Sequence, residues 1–463
     1  MPVEGRGLSS KAAQEVARGR RLGNLTTPDS VQKLQAALHT KAKEAPGFRF
    51  YSLYDKLCRA DVLDHAYRRC RANGGAEGVD GQRFEDVEAF GRERWLGELA
   101  QELKEKTYRA EAVRRVWIPK PNGKLRPLGV PTIRDRVVQT AAMLVLEPIF
   151  EADLQPEQHA YRADHDALGA VRQVHSLLNT GHTQVIDADL SGYFDSIPHA
   201  ELLKSVARRV SDRQILHLVK MWLTAPVEEA DGRGGKRRTT ANRDCKRGIP
   251  QGSPISPLLA NLYMRRFVLG WKQLGYAERY GAQIVNYADD LVICCKRQAE
   301  EASQAMRQVM ARLKLTVNEE KTHICRIQQE HFDFLGYTFG RCYSTKTGRV
   351  YIGTRPSQKS VQRMVAEISA ETDRRFTGRD TADVVERLNR KLVGWANYFC
   401  LGPVSKAYQA LDTHTAYRLR RWLRTKHKEK RIARSCYPDE HLYETLGLIR
   451  LPALTRRLPW AKV

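Results

Sequence analysis

No Cys-x-x-Cys pair occurs anywhere in this 463-residue chain, although it holds nine cysteines. They are odd in number and scattered from Cys58 to Cys436, which excludes both a disulfide framework and a zinc ribbon. Long apolar runs are also missing: nothing approaches 18 uninterrupted apolar residues, and the opening MPVEGRGLSSKAAQEVARGRR has no apolar segment of the secretory kind. No internal repeat is found. Acidic charge is scarce relative to basic, with 53 Asp and Glu against 78 Lys and Arg, a net charge of +25 and a pI near 9.8. What remains is 42% hydrophobic and 28% charged, enough for a packed core and too apolar for wholesale disorder. At roughly 150 residues per domain the length suggests about three units. The basic excess points to a polyanion, and nucleic acid is the simplest one, because each neutralised phosphate releases counterions. Basic residues are spread along the chain and not gathered on one amphipathic helix, so no membrane partner is expected.

Texture divides the chain. Residues 1–30 are polar and basic and are expected to be poorly ordered. Over 31–110 apolar residues such as Leu34, Leu38, Leu53, Leu57 and Leu103 recur at three and four positions, which predicts helices. Val113-Arg114-Arg115-Val116-Trp117-Ile118-Pro119, the turn Pro121-Asn122-Gly123-Lys124 and a return over 125–130 read as a basic hairpin. Residues 183–190 form a short apolar strand with Asp187 and Asp189 two positions apart, on one face. A second acidic segment, 283–293, sets Asp289 and Asp290 between two apolar halves and reads as strand, tight turn, strand. Residues 231–247 are basic and poor in apolar residues, so a flexible loop is expected. After about residue 342 the chain turns helical, and residues 341–463 carry +15 of the total charge.

Carboxylates at the ends of two apolar strands meet the demands of two-metal phosphoryl transfer, where Mg²⁺ ions about 4 Å apart share oxygen ligands from different segments. Alone, Asp289-Asp290 reads first as a solvated turn, but the apolar strands on both sides, with Val285 and Val292, pull it towards the core.

Several blocks then resemble one family in its order. Tyr287-Ala288-Asp289-Asp290 is similar to the Y-x-D-D signature of reverse transcriptases. Ile118-Pro119-Lys120, Arg126-Pro127-Leu128-Gly129, Ala160-Tyr161-Arg162, Asp187-Ala188-Asp189-Leu190-Ser191-Gly192-Tyr193-Phe194-Asp195, Gly248-Ile249-Pro250-Gln251-Gly252-Ser253-Pro254, Asn318-Glu319-Glu320-Lys321-Thr322 and Phe334-Leu335-Gly336-Tyr337 accompany it. Gly394-Trp395-Ala396-Asn397-Tyr398-Phe399 resembles the thumb, or maturase, motif of group II intron proteins. The resemblance implies an α+β right-hand polymerase: a helical extension over 31–110, fingers and palm with an antiparallel sheet over 111–345, a helical thumb over 346–415, and a basic nucleic-acid-binding region over 416–463. It resembles the endonuclease-less, class C-like type. The implied activity is RNA-directed DNA polymerisation with two Mg²⁺ ions, Mn²⁺ as a substitute, and binding of intron RNA to promote its splicing. Implied partners are dNTPs, group II intron RNA, and an RNA template with a DNA primer or DNA target. The implied setting is a bacterial cytoplasm, near the nucleoid, and both monomer and homodimer stay open.

By the same resemblance Asp189, Leu190, Asp289 and Asp290 hold the metals, and the three aspartates are the catalytic residues. Asp187 reads as structural. Lys120, Arg126, Phe194, Asp195 and Gln251 would bind the dNTP, with Phe194 as a steric gate against a 2′ hydroxyl, although core packing would also explain an aromatic ring there. Lys321 stays open between proton donor to pyrophosphate and surface lysine. Arg162 and the Phe334-Leu335-Gly336-Tyr337 strand would contact template and primer. Trp395, Tyr398 and Phe399 read by themselves as helix core. Nine basic residues crowd positions 418–434; Arg418, Arg420, Arg421 and Arg424 are expected to contact nucleic acid, against the plainer reading of a solvated face.

Overall fold

The computed structural model describes residues 25–454, apart from 120–122, 124, 232–234, 345–346 and 431. Lys120 and nearly all of the turn expected at 121–124 therefore lie outside the described residues, as do residues 1–24.

Helices Asp29–Glu44, Ala60–Asn73, Phe84–Phe90 and Arg92–Glu105 open the chain, as their apolar spacing predicts. Eleven strands follow among the described residues. These are β1 (Val113–Pro119), β2 (Leu125–Val130), β3 (Gln184–Asp189), β4 (Val227–Ala230), β5 (Lys236–Thr239), β6 (Ala282–Tyr287), β7 (Asp290–Cys295), β8 (His323–Arg326), β9 (Phe332–Phe334), β10 (Tyr337–Tyr343) and β11 (Val350–Pro356). They make three sheets, ordered β2-β1-β4-β5, β6-β7-β3-β8 and β11-β10-β9. Mixed helices and sheets bear out the α+β class.

The second sheet positions the site. β7 is Asp-Leu-Val-Ile-Cys-Cys, buried at every position, as a strand covered on both faces must be. Side chains alternate along it. Ile186, Ala188, Leu291 and Ile293 join the core built on the N-terminal helices and the helix Ile133–Glu151. Val185, Val292 and Cys294 join a second core with the helices Ala167–Asn179 and Thr381–Tyr398. By the same alternation Asp187 and Asp189 on β3, and Asp290 on β7, lie on that second face, between the sheet and the C-terminal helices.

Two expectations are corrected. The stretch expected to be helical beyond residue 341 begins with a strand instead, because β11 (Val350–Pro356) lies within it and pairs with β10. The basic stretch 231–247 is not simply a loop, because β5 and the short helix Ala241–Cys245 lie within it. β5 pairs with β4, and β4 runs parallel to β1 with Val113 opposite Val227 and Arg114 opposite Glu228. β5 thus finds its hydrogen bonds on the adjacent β4, which is itself held by β1 more than a hundred residues away, a support that local composition gives no sign of.

At the C-terminal end the helices Gln358–Glu371, Thr381–Tyr398 and Ser405–Lys426 enclose Trp395, Phe399, Tyr408 and Trp422, with the Trp395 and Phe399 ring centroids 4.6 Å apart. Among the described residues no helix is long and apolar enough to cross a membrane.

Candidate active site

β3 and β7 are antiparallel, and their last matched pair is Asp189 opposite Asp290. Directly opposed residues place their Cβ atoms about 5 Å apart on one face, where like charges repel. Two groups relieve Asp189: its Oδ2 accepts from Asn318 Nδ2 at 3.0 Å and from Lys321 Nζ at 3.2 Å. Its main chain is held as well, the carbonyl accepting from Asn318 N at 2.8 Å and the amide donating to Thr322 Oγ1 at 3.2 Å. Lys321 is thus drawn to the candidate catalytic carboxylate and is not a detached surface lysine.

Asp289 stands on the two-residue turn between β6 and β7. Ala288, beside it, has φ +59°, a conformation that costs an alanine about 1 kcal/mol or more. Asn286 holds the turn: its Nδ2 donates to the carbonyls of Ala288 at 2.8 Å and Asp290 at 3.2 Å. Its backbone amide donates to Glu157 O and its carbonyl accepts from His159 N, tying the turn to the segment before the helix Ala167–Asn179. Sequence reasoning missed Asn286. Its only sign was an amide following the apolar pair Ile284-Val285 just before the turn.

These groups are hard oxygen donors, the kind that Mg²⁺ takes, and the opposed pair needs a cation. Leu190, next to Asp189, could add only its main-chain carbonyl. Among the described residues no group of three or more His, Cys, Asp or Glu side chains is gathered closely enough to hold a metal by itself.

Beside the carboxylates runs a chain of polar groups. Arg126 Nε on β2 donates to Gln251 Oε1 at 3.1 Å, and Gln251 Nε2 donates to Asp195 Oδ2 at 3.3 Å. The loop around Gln251 is fixed by its backbone, with Gly129 N donating to Gln251 O at 2.6 Å and Ile249 N to Phe194 O at 2.8 Å. Gly252 must be glycine: its φ is +107°, and a Cβ there would lie 2.7 Å from the Gly129 carbonyl. Phe194 is buried, its ring edge-on to Tyr193 at 5.8 Å. Three sequence-predicted residues from distant segments thus meet, with Phe194 next to Asp195 in the chain.

The turn Leu335-Gly336 joins β9 to β10. Leu335 has φ +49°, and the main-chain carbonyls of the turn are engaged from the C-terminal side. Tyr398 Oη donates to Leu335 O at 2.7 Å, while Ser357 N and Ser360 Oγ donate to Gly336 O at 2.9 and 3.0 Å. Tyr337 Oη in return donates to Tyr398 O at 2.5 Å. Burial pushes the Tyr398 hydroxyl well above its usual pKa, and Tyr337, Tyr287, Asp166 and Asp290 add to the effect. Of the opposed carboxylates, Asp290 is the one whose charge Tyr398 feels.

Comparison with known proteins gives two adjoining family matches. Residues 118–339 match reverse transcriptase (RNA-dependent DNA polymerase), and residues 361–437 match the group II intron, maturase-specific domain. Protein YkfC of Escherichia coli (strain K12) is 32% identical over 367 residues, covering 71% of this chain and 93% of that protein. The chain belongs to the group II intron reverse transcriptase and maturase family. Group II intron-encoded protein LtrA of Lactococcus lactis subsp. cremoris is 31% identical over 227 residues, 48% of this chain but only 36% of that protein. Nuclear intron maturase 2, mitochondrial, of Arabidopsis thaliana is 27% identical over 110 residues, 24% of this chain and 15% of that protein.

Not every residue expected from the group II intron family faces outward. Arg162 is buried, bonded to both Glu151 carboxylate oxygens and to the carbonyls of Gln155 and Gln158 at 2.7 Å, so it braces a loop and offers no fork to a template. Phe334, Leu335 and Tyr337 are at most 5% exposed, which leaves only main chain at Gly336 for a nucleic acid. In the tail, Arg418 donates to the carbonyls of Ser369 and Thr372 and to the Thr372 hydroxyl. Arg420 donates to Tyr437 O and pairs with Asp439. Of the four tail arginines only Arg421 and Arg424 are exposed.

Proposed function

We propose that this chain is an RNA-directed DNA polymerase in a right-hand arrangement of fingers, palm and thumb, and that it also binds a group II intron RNA as its maturase. The observation that carries the reading is the register of β3 and β7, which opposes Asp189 to Asp290 beside the Asp289 turn. Two Mg²⁺ ions, or Mn²⁺ in their place, would when bound activate the primer 3′ hydroxyl and steady the charge on departing pyrophosphate. Asp189, Asp289, Asp290 and the carbonyl of Leu190 are the groups that would hold them. Arg126 and Gln251 would orient the triphosphate, Arg126 with the planar fork that suits phosphate oxygens. Phe194, next to Asp195, would crowd the 2′ carbon of the incoming sugar and favour dNTPs. Lys321, already 3.2 Å from Asp189, is placed to neutralise the site before substrate arrives.

With RNA template, annealed DNA primer, dNTPs and Mg²⁺, the purified protein is expected to extend the primer. Asp289→Ala should abolish extension while intron RNA affinity stays nearly unchanged. Equal extension by the variant would sink the assignment.

A further inference from the structure

The hairpin β10–β11 leaves the body of the protein part-way along its length. Its inner pairs, Tyr337 with Pro356 and Phe339 with Thr354, are buried. His175 Nδ1 bonds Thr354 Oγ1 at 2.8 Å from the helix Ala167–Asn179 and anchors that end. Its outer pairs, Cys342 with Tyr351 and Tyr343 with Val350, run past this support. Tyr343 is 65% exposed, Val350 47% and Tyr351 41%. High strand propensity explains a tyrosine in a strand, but not three large apolar neighbours left in water on adjoining pairs. The segment from 337 to 360 also holds five basic residues and no carboxylate. Alternation puts Arg341 beside Tyr343 on one face, and Arg349 and Arg355 with Tyr351 on the other, all three arginines exposed. Tyr351 leans along the strand toward Gly353, its Cε2 3.1 Å from where a Cβ would stand, a place that only glycine leaves free.

We propose that the outer half of this hairpin is a stacking platform for single-stranded RNA on both of its faces, with Tyr343 on one face and Tyr351 on the other receiving unpaired bases, and Arg341 and Arg349 gripping the phosphate beside each ring. Aromatic faces interleaved with cationic forks, with no carboxylate on either strand of the hairpin, match a polyanion whose bases are uncovered. Duplex RNA hides those base faces, so it would find only the charges. The platform rests on the reading of this chain as an RNA-handling protein but uses none of the residues assigned to polymerisation, and neither Arg421 nor Arg424.

The test uses the full chain and fluorescence anisotropy with a labelled oligouridine RNA and a blunt RNA duplex. Tyr343→Ala with Tyr351→Ala should weaken oligouridine binding about tenfold or more, with the slope of log affinity on log salt unchanged, because rings and not charges are removed. Tyr343→Phe with Tyr351→Phe should restore binding. Arg341→Ala with Arg349→Ala should flatten the salt slope by roughly 0.7 for each phosphate no longer neutralised. Primer extension on a pre-annealed duplex should persist in every variant, so failure of the platform would leave the polymerase reading standing. Unaltered oligouridine affinity in the double alanine variant would overturn the proposal, and so would an equal loss on the blunt duplex, which would mean that the hairpin does not read unpaired bases.

Discussion

The central sheet and the C-terminal tail hold their charges on opposite terms. In the sheet the carboxylates stand at the ends of strands whose other side chains are almost all buried, and each is fixed by named partners: Asn318 and Lys321 on Asp189, Asn286 on the turn that carries Asp289 and Asp290. In the tail, arginines two or three residues apart have unrelated fates. Arg418 and Arg420 turn inward to cap carbonyls and pair with Asp439, while Arg421 and Arg424 stay in water. Sparse charge on an apolar strand is legible in the sequence because burial leaves few alternatives to function. Dense charge on a helix is not, because density says nothing about direction.

The largest effect should come from breaking the carboxylate pair. Asp189→Asn keeps the shape but removes the charge that Lys321 and a metal answer to, and primer extension should fall by about a thousandfold or more, a loss comparable to deleting a preorganised electrostatic contact. Single-turnover extension checks it, with RNA affinity as the control. The tail arginines sharpen the comparison next. Arg420→Ala should cost about 2 kcal/mol of stability, since it strands the Tyr437 carbonyl and leaves Asp439 only the more distant Arg450, at 4.0 Å. Arg421→Ala with Arg424→Ala should leave the unfolding midpoint alone and flatten the salt dependence of intron RNA binding by roughly 0.7 to 0.9 for each phosphate released. Parallel denaturant titrations and salt titrations separate the two outcomes. A stability loss from Arg421 and Arg424 equal to that from Arg420 would erase the difference between the inward and outward arginines.

Tyr398 links the two regions. It belongs to the maturase-specific segment, yet its hydroxyl holds the Leu335 carbonyl of the reverse transcriptase segment. Tyr398→Phe removes that bond alone, at about 1 kcal/mol. The apparent KM for primer–template should rise several-fold with kcat for nucleotide addition unchanged, and steady-state titration of primer–template measures both. The smallest change expected is in sugar choice. Phe194→Val should raise rNTP use relative to dNTP by about tenfold, read from the ratio of the two kcat/KM values.

Much of this was legible in the sequence, for physical reasons that differ by element. Asp189, Asp289 and Asp290 stood out because Val285 and Val292 pull their flanks into a core, and the structure brings the strands into register as expected. Arg126, Gln251 and Asp195 also meet. Other assignments failed on side-chain direction. Arg162 sits in a block that resembles a template contact, but a long guanidinium stem can satisfy buried carbonyls as readily as phosphates. Tyr337 and Phe334 alternate into the second core, and only the packed helices behind the sheet reveal that. The strand in 231–247 depends on pairing with β4, itself set against β1 across the fold. Asn286 and Tyr398 matter through hydrogen bonds to main chain, which leave almost no trace in residue order.

The central claim is that chemistry resides in the opposed carboxylates and RNA retention in exposed basic and aromatic surface, so the two are separable. Asp290→Asn should be assayed on one preparation for primer extension and for splicing of the cognate intron RNA at low Mg²⁺, where a folded RNA most needs a cationic partner. The account predicts that extension is lost and splicing survives. Loss of both, in a variant that keeps its unfolding midpoint, would contradict it.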